Sequence, residues 1–291
     1  MSEVSSLVYL NGAYLPLSQA KVSVTDRGFL FGDGVYEVIP CYSGRPFRLN
    51  HHLRRLQGSL HAIGMEMPLS DGVWQEIIER LTEQSSGEDQ SVYLQITRGD
   101  NGRRSPGIPV GLTPTIFAMT QPVTYPDPAT AAAGVAAITH DDYRWRRCNI
   151  KAITLLANIL LRNEALKQGA ADAILIRDGN AVEGATSNLF VIDRGVILTP
   201  PESSQLLPGV TRDLVLELAH AHGLPIREEE IPLELLRNAD EIWLTSSSRE
   251  VAAVTTLDGR PVGSGTPGPV HKQIRAYYAD YKTRLQQGVV E

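Results

Sequence analysis

Two domains that each mix helix and sheet, an α+β or mixed α/β arrangement, are what this sequence predicts, and three observations point there. A hairpin signal opens the chain, a proline-rich stretch breaks every periodicity near residue 125, and strand-like runs interspersed with helical ones resume beyond it. With 291 residues, 42% hydrophobic and 21% charged, the chain is long enough for two full cores and has an ordinary globular composition.

The elements follow in order. Leu7–Leu10 and Ala13–Leu15 flank Asn11-Gly12, a pair suited to a two-residue β-turn, so the chain begins in antiparallel sheet. Gly28, Gly32 and Gly34, with Phe29 and Phe31 between them, read as a turn region where backbone can approach a ligand closely. Leu53, Leu56, Leu60 and Ile63 fall on one stripe of residues 49–64, which predicts a helix, and residues 73–83 predict a second. Strands are expected at 92–97 and 115–120. Pro122, Pro126 and Pro128 followed by small residues cannot sustain helix or central strand. Residues 122–134 are therefore the expected linker between a smaller domain, 1–121, and a larger one, 135–291. In the latter, strands are expected at 135–139, 173–177, 189–192, 225–230 and 241–245, and helices at 154–168, 211–222 and 270–286. A crevice between two such domains is a common place for a cofactor.

Charge and cysteine usage narrow the function. A net charge of −6 lacks the basic excess of a nucleic-acid binder, so small molecules are the expected partners. Cys41 and Cys148 make neither a disulfide framework nor a metal cluster, and the start Met1-Ser2-Glu3-Val4 does not read as a leader. No apolar run reaches the roughly 18–20 residues that span a bilayer. The expectation is a cytoplasmic protein with no metal, no membrane and no nucleic acid.

Lys151 is the most informative single residue. Only five of the 27 basic residues are lysines, and this one interrupts the apolar run from Cys148 to Leu156. A desolvated ammonium is costly unless it is paired, neutralised or chemically used. A lysine at a helix start with its head in water satisfies that condition, and so does a lysine whose amine attacks a carbonyl, which arginine cannot do.

Three further stretches offer partners. Val182 to Asn188 reads as a polar turn, in which Glu183 could hold a proton on a heteroaromatic nitrogen while Thr186, Ser187 and Asn188 offer hydroxyl and amide groups. Pro208-Gly209-Val210-Thr211 leads into a helix whose start can bind phosphate, or can simply begin a helix with Asp213 in its first turn. Arg55 suits either surface charge or a phosphate clamp.

Taken together, these blocks resemble fold-type IV pyridoxal-phosphate enzymes, the group of D-amino-acid transaminases, branched-chain transaminases and aminodeoxychorismate lyase. The resemblance rests on Asp26-Arg27-Gly28, Phe31-Gly32-Asp33-Gly34-Val35-Tyr36-Glu37, Arg55, Lys151, Glu183-Gly184, Asn188 and Gly209-Val210-Thr211-Arg212, in that order over nearly the whole chain. The segment Arg144-Trp145-Arg146-Arg147-Cys148-Asn149-Ile150-Lys151 is most similar to D-amino-acid transaminases.

The resemblance implies that Lys151 is the Schiff-base lysine and proton shuttle of a ping-pong transamination between a D-amino acid and a 2-oxo acid. Glu183 would pair with the pyridine nitrogen, and Tyr36 would lie at the reacting centre. Arg55, Ser187, Asn188, Val210, Thr211 and Ser247 would complete the cofactor site in the crevice between the domains, the larger of which binds the cofactor. Tyr36, Tyr93, Arg104 and Arg144 would face substrate, and the enzyme would be a homodimer. Two departures stand out. Arg104 matches the arginine that holds the substrate carboxylate, but Pro106 stands where the family places a histidine, and Pro40 replaces a residue that is often polar or basic. Aminodeoxychorismate lyase, with Gly102 before Arg103 in its favour, and branched-chain L-amino-acid or (R)-amine transamination are the alternatives. A non-catalytic role on a decayed fold fits poorly with retained Lys151, Glu183 and Arg55.

Overall fold

The computed structural model describes residues 7–83, 89–123, 125 and 128–290. Two compact units emerge. The first comprises Met1–Val123, Ile150–Thr154 and Arg284–Glu291, and the second Thr124–Asn149 and Leu155–Thr283. The stretch around Lys151 therefore packs with the first unit, although in sequence it lies beyond the expected linker. Of that linker, Thr124, Pro126 and Asp127 lie outside the described residues, as does the start Met1–Val4.

In the first unit the elements are β1 (Leu7–Leu10), β2 (Ala13–Pro16), α1 (Arg27–Phe31), β3 (Gly34–Tyr42), β4 (Arg45–Pro46), α2 (Leu49–Ala62), α3 (Asp71–Thr82), β5 (Gln90–Thr97) and β6 (Thr115–Pro122). They form an antiparallel sheet of order β2-β1-β6-β5-β3-β4. The Asn11-Gly12 hairpin is present, with Leu10 opposite Ala13. The stripe on α2 does what its spacing predicts. Leu53, Leu56 and Leu60 are buried with Trp74 and Ile77 of α3 and Leu94 and Ile96 of β5, each large side chain contributing about 1.5–3 kcal/mol by leaving water.

The region read as a glycine-rich turn holds two elements instead. Asp26 caps α1 by accepting from the Gly28 N–H (2.7 Å), and Gly32, at φ +66°, ends it in the left-handed conformation that glycine adopts without strain. Strand β3 follows at once. Glu37 and Pro40 hide it in the sequence, since neither suits a central strand. Pro40 is tolerated because its carbonyl faces β4, accepting from Phe47 N–H (2.7 Å). Its missing donor therefore points to the side where β4 pairs only with Cys41 and Tyr42.

The second unit contains α4 (Pro128–Ala133), β7 (Val135–Asp141), α5 (Leu156–Lys167), β8 (Asp172–Arg177), β9 (Asn180–Gly184), β10 (Asn188–Asp193), β11 (Val196–Thr199), α6 (Val210–Ala221), β12 (Ile226–Glu228), β13 (Ile231–Pro232), α7 (Leu233–Arg237), β14 (Glu241–Ser246), β15 (Glu250–Leu257), β16 (Arg260–Pro261) and α8 (Pro269–Gln286). Its sheet runs β12-β11-β10-β14-β15-β7-β8-β9-β13, with β16 beside β15. Strands β8 and β10 are buried almost throughout, which explains their unalternated apolar runs. The polar turn expected at 182–188 is shorter than its composition suggests, because Val182, Glu183 and Gly184 belong to β9 and Asn188 opens β10. Among the described residues no helix is long and apolar enough to cross a membrane.

Candidate active site

In the first unit, Tyr36 and Glu37 are neighbours on β3 and point to opposite faces. On one face the Tyr36 ring lies 5.8 Å from that of Tyr93, whose hydroxyl donates to Gln95 Oε1 (2.7 Å). Burial pushes the Tyr93 phenol up to about 12, so it remains a hydrogen-bond donor at neutral pH. Lys151 lies in extended backbone beside β3, not at a helix start. Tyr36 N–H donates to its carbonyl (3.0 Å), Ile153 N–H donates to Gly34 O (3.1 Å), and its own N–H donates to Ser59 Oγ of α2 (3.1 Å). With the backbone tied and Ile150 in the core, Lys151 Nζ comes to rest 4.2 Å from the centre of the Tyr36 ring.

Glu37, fully buried, accepts from Arg55 Nε (2.8 Å), from a second Arg55 nitrogen (2.7 Å) and from His52 Nδ1 (2.8 Å). Burial alone would raise its pKa, but the Arg55 charge and these hydrogen bonds hold the carboxyl well below the usual range. Burial pushes His52 the other way, below its ordinary value, against the pull of Glu37 and assisted by the Arg55 and Lys151 charges. A neutral ring facing a carboxylate must carry its proton on Nδ1. Arg104 sits apart from this cluster, its guanidinium carbon 5.4 Å from the centre of the Phe31 ring.

In the second unit Glu183 is the centre. Its carboxylate accepts from Arg144 (2.6 Å), from Leu207 N–H (3.0 Å) and from Asn188 Nδ2 (3.3 Å). Burial raises it to about 7 against the opposing Arg144 charge, with nearby Asp142 adding to the rise. Asn188 links three elements. It stands opposite Thr245 in the β10–β14 register, donates to Leu207 O (2.8 Å), and lies against Gly209, where any Cβ would collide with its side-chain oxygen. Gly209 in turn caps α6, which begins at Val210. The hydroxyls of Thr211 and Thr245 are both buried without a hydrogen-bond partner among the described residues. Ser247 lies in the turn that follows β14.

Two side chains expected to face ligands are engaged within the protein. Arg144 is one of them. Its guanidinium makes two bonds to Asp142 (2.9 Å each), one to Glu183 and one to Gln205 O (3.4 Å), which makes it the holder of Glu183. Ser187 is the other, its hydroxyl donating to the buried carboxylate of Asp172 (2.8 Å). The sequence reading passed over Asp142 and His52, and gave Glu37 no role beyond its place in a motif. A signal for two of them existed, because His52 lies three residues before Arg55 on one helix face and Glu37 follows Tyr36.

A family model for amino-transferase class IV matches residues 34–257. The chain belongs to that family. Among curated relatives, a D-alanine aminotransferase of Bacillus licheniformis is 41% identical over 268 residues, covering 92% of this chain and 94% of that protein. A D-alanine aminotransferase of Staphylococcus aureus (strain MW2) is 37% identical, covering 94% and 97%. Among solved structures, a T.th. branched-chain amino acid aminotransferase with pyridoxamine 5'-phosphate has a TM-score of 0.88 at 27% identity, covering 98% of this chain and 96% of that one. The branched-chain amino acid aminotransferase from Escherichia coli has a TM-score of 0.86 at 28% identity, covering 99% and 96%. This class IV aminotransferase thus has the fold-type IV architecture that the motif order implied, and it is an enzyme of transamination.

Proposed function

We propose that this aminotransferase uses pyridoxal 5'-phosphate to move the amino group of a D-amino acid, D-alanine foremost, to a 2-oxo acid by a ping-pong path. The observation that carries the reading is the polarity of one region of the second unit. Two partnerless buried hydroxyls, Thr211 and Thr245, and the α6 start suit an anion, while the buried carboxyl of Glu183 suits a cation. A phosphorylated, protonated pyridine has that pair of charges. The D-amino-acid substrate is supported by relatives 36–41% identical over most of the chain, against 26–28% for the branched-chain structures.

When bound, the cofactor supplies an electrophilic carbon for the substrate amine and an electron sink for the developing carbanion. Val210 and Thr211 N–H groups and the Thr211 hydroxyl hold the phosphate, to which the resemblance adds Arg55 and Ser247. Glu183, fixed by Arg144 and flanked by Asn188, keeps the ring nitrogen protonated. Lys151 Nζ, in its neutral form, takes and returns the substrate Cα proton, and the Tyr36 ring beneath it disfavours wandering of the amine. Tyr93 and Arg104 receive the substrate. A cytoplasmic homodimer, in keeping with the family resemblance, completes the reading.

Mixing holoenzyme separately with D- and L-alanine and following the near-visible absorbance of the bound cofactor tests it. Loss of absorbance with the D isomer alone is expected, and a response to L-amino acids alone would move the chain to the branched-chain alternative. Lys151→Ala should abolish both that band and turnover, and retention of either would remove Lys151 from its role.

A further inference from the structure

The connection between β5 and β6 carries Arg104, and its path is tied to Arg27, a residue buried at the start of α1. Arg27 Nε donates to Asp33 Oδ2 (2.7 Å), one terminal nitrogen to the carbonyls of Ser105 (2.7 Å) and Gly107 (3.1 Å), and the other to Pro106 O (3.4 Å). Its backbone N–H donates to Gly99 O (2.9 Å), so the same residue grips the base of the loop and its tip. Asp33 is itself braced by Arg98 Nε (2.8 Å), whose guanidinium donates onward to Ile63 O (2.7 Å). The Phe31 ring lies against both cations, 4.9 Å from the Arg27 guanidinium carbon and 5.4 Å from that of Arg104.

Packing does not hold this loop. A cavity of about 490 Å3 lies beside it, bordered by Phe31, Ile63, Arg98, Pro106 and Ile108, and both Ile108 and Val110 are exposed. Pro106 has no N–H, so at that residue the backbone can be fixed only through its carbonyl. Three successive carbonyls demand several donors in one plane, which a guanidinium has and an ammonium, a compact point charge, has not.

We propose that Arg27 is a positioning residue that sets the enzyme's affinity for the substrate carboxylate, by holding residues 105–107 and with them the Arg104 guanidinium over Phe31. The proposal rests on Arg104 as the carboxylate ligand. Steady-state kinetics of the holoenzyme with D-alanine separate the two ideas. Arg27→Lys is expected to raise KM about tenfold while kcat stays within about twofold, because saturating substrate restores the contact. In an Arg104→Ala background the same substitution should leave KM where Arg104→Ala alone puts it.

If Arg27→Lys leaves KM unchanged while Arg104→Ala raises it, the positioning role is overturned and the ligand role stands. If Arg104→Ala leaves KM unchanged, the ligand role falls, and this proposal with it. Additive effects, or a fall in kcat as large as the rise in KM, would mark Arg27 as a structural residue only and overturn the proposal. Pro106→Gly leaves the guanidinium in place and frees the backbone that it grips. It should raise KM about threefold, and it decides the matter if Arg27→Lys fails to fold, an unchanged KM then overturning the proposal.

Discussion

Glu37 in the first unit and Glu183 in the second are both sealed carboxylates beside an arginine, yet their surroundings push them in opposite directions. Glu37 receives two hydrogen bonds from one guanidinium and a third from His52, and is held ionised. Glu183 receives one bond from Arg144, whose guanidinium makes two more to Asp142, and it is raised to about 7. Burial is the same in both places. What differs is how much positive charge is dedicated to the carboxylate, and a partly compensated one is poised to gain a further cation. The first arrangement fixes the Arg55 guanidinium in place, and the second suits a site awaiting a charged ring.

The largest effect should come from breaking the compensated pair. Glu37→Gln takes the charged acceptor from Arg55 and His52 inside the core, and should destabilise the first unit by about 3–5 kcal/mol in urea denaturation. Glu183→Gln should change stability by less than about 1 kcal/mol, because Arg144 retains Asp142, yet lower the transamination rate about a hundredfold. Equal losses of stability from the two substitutions would erase the distinction.

Which parts of this were legible in the sequence follows from how local each interaction is. Lys151, Glu183, Asn188 and the α6 start could be picked out as candidates because each sits in a short motif of its own. The bond of Arg144 to a carboxylate 39 residues away was not legible, because it has no trace in local spacing. Ser187 looked available because nothing nearby announces that Asp172, 15 residues earlier, turns towards it. Strand β3 was obscured by Glu37 and Pro40, a charge and an imino acid that become acceptable only once Arg55 and the short β4 are in place. The hairpin and the α2 stripe needed no such remote partners.

A smaller effect should follow from shifting Glu183 without removing it. Arg144→Met takes away the charge that opposes burial, so the free carboxyl should titrate above 7 and compete less well for a proton-bearing ring. The half-reaction with D-alanine should slow about tenfold at pH 7. An unchanged rate would separate Arg144 from the hold on Glu183.

The smallest effect is the pH dependence of stability in the cofactor-free protein, where the two regions oppose each other. Glu183 has a raised folded value, about 7 against 4.5 unfolded, so its contribution is complete below pH 4.5 and is lost as pH rises to about 7. His52 and Glu37 have lowered folded values, so theirs are present above 6.5 and 4.5 respectively and are lost as pH falls. Each proton taken up or released contributes a slope of about 1.4 kcal/mol per pH unit, so His52, whose folded value is lowered, opposes the Glu183 slope below 6.5. Only above 6.5 does Glu183 act alone, and apo stability should fall there by less than about 1 kcal/mol. Bound cofactor should abolish that decline, because a protonated ring beside Glu183 keeps the carboxylate ionised throughout. Urea midpoints measured from pH 6 to 8 with and without pyridoxal phosphate decide it, and a decline that persists in the holoenzyme would separate Glu183 from the ring.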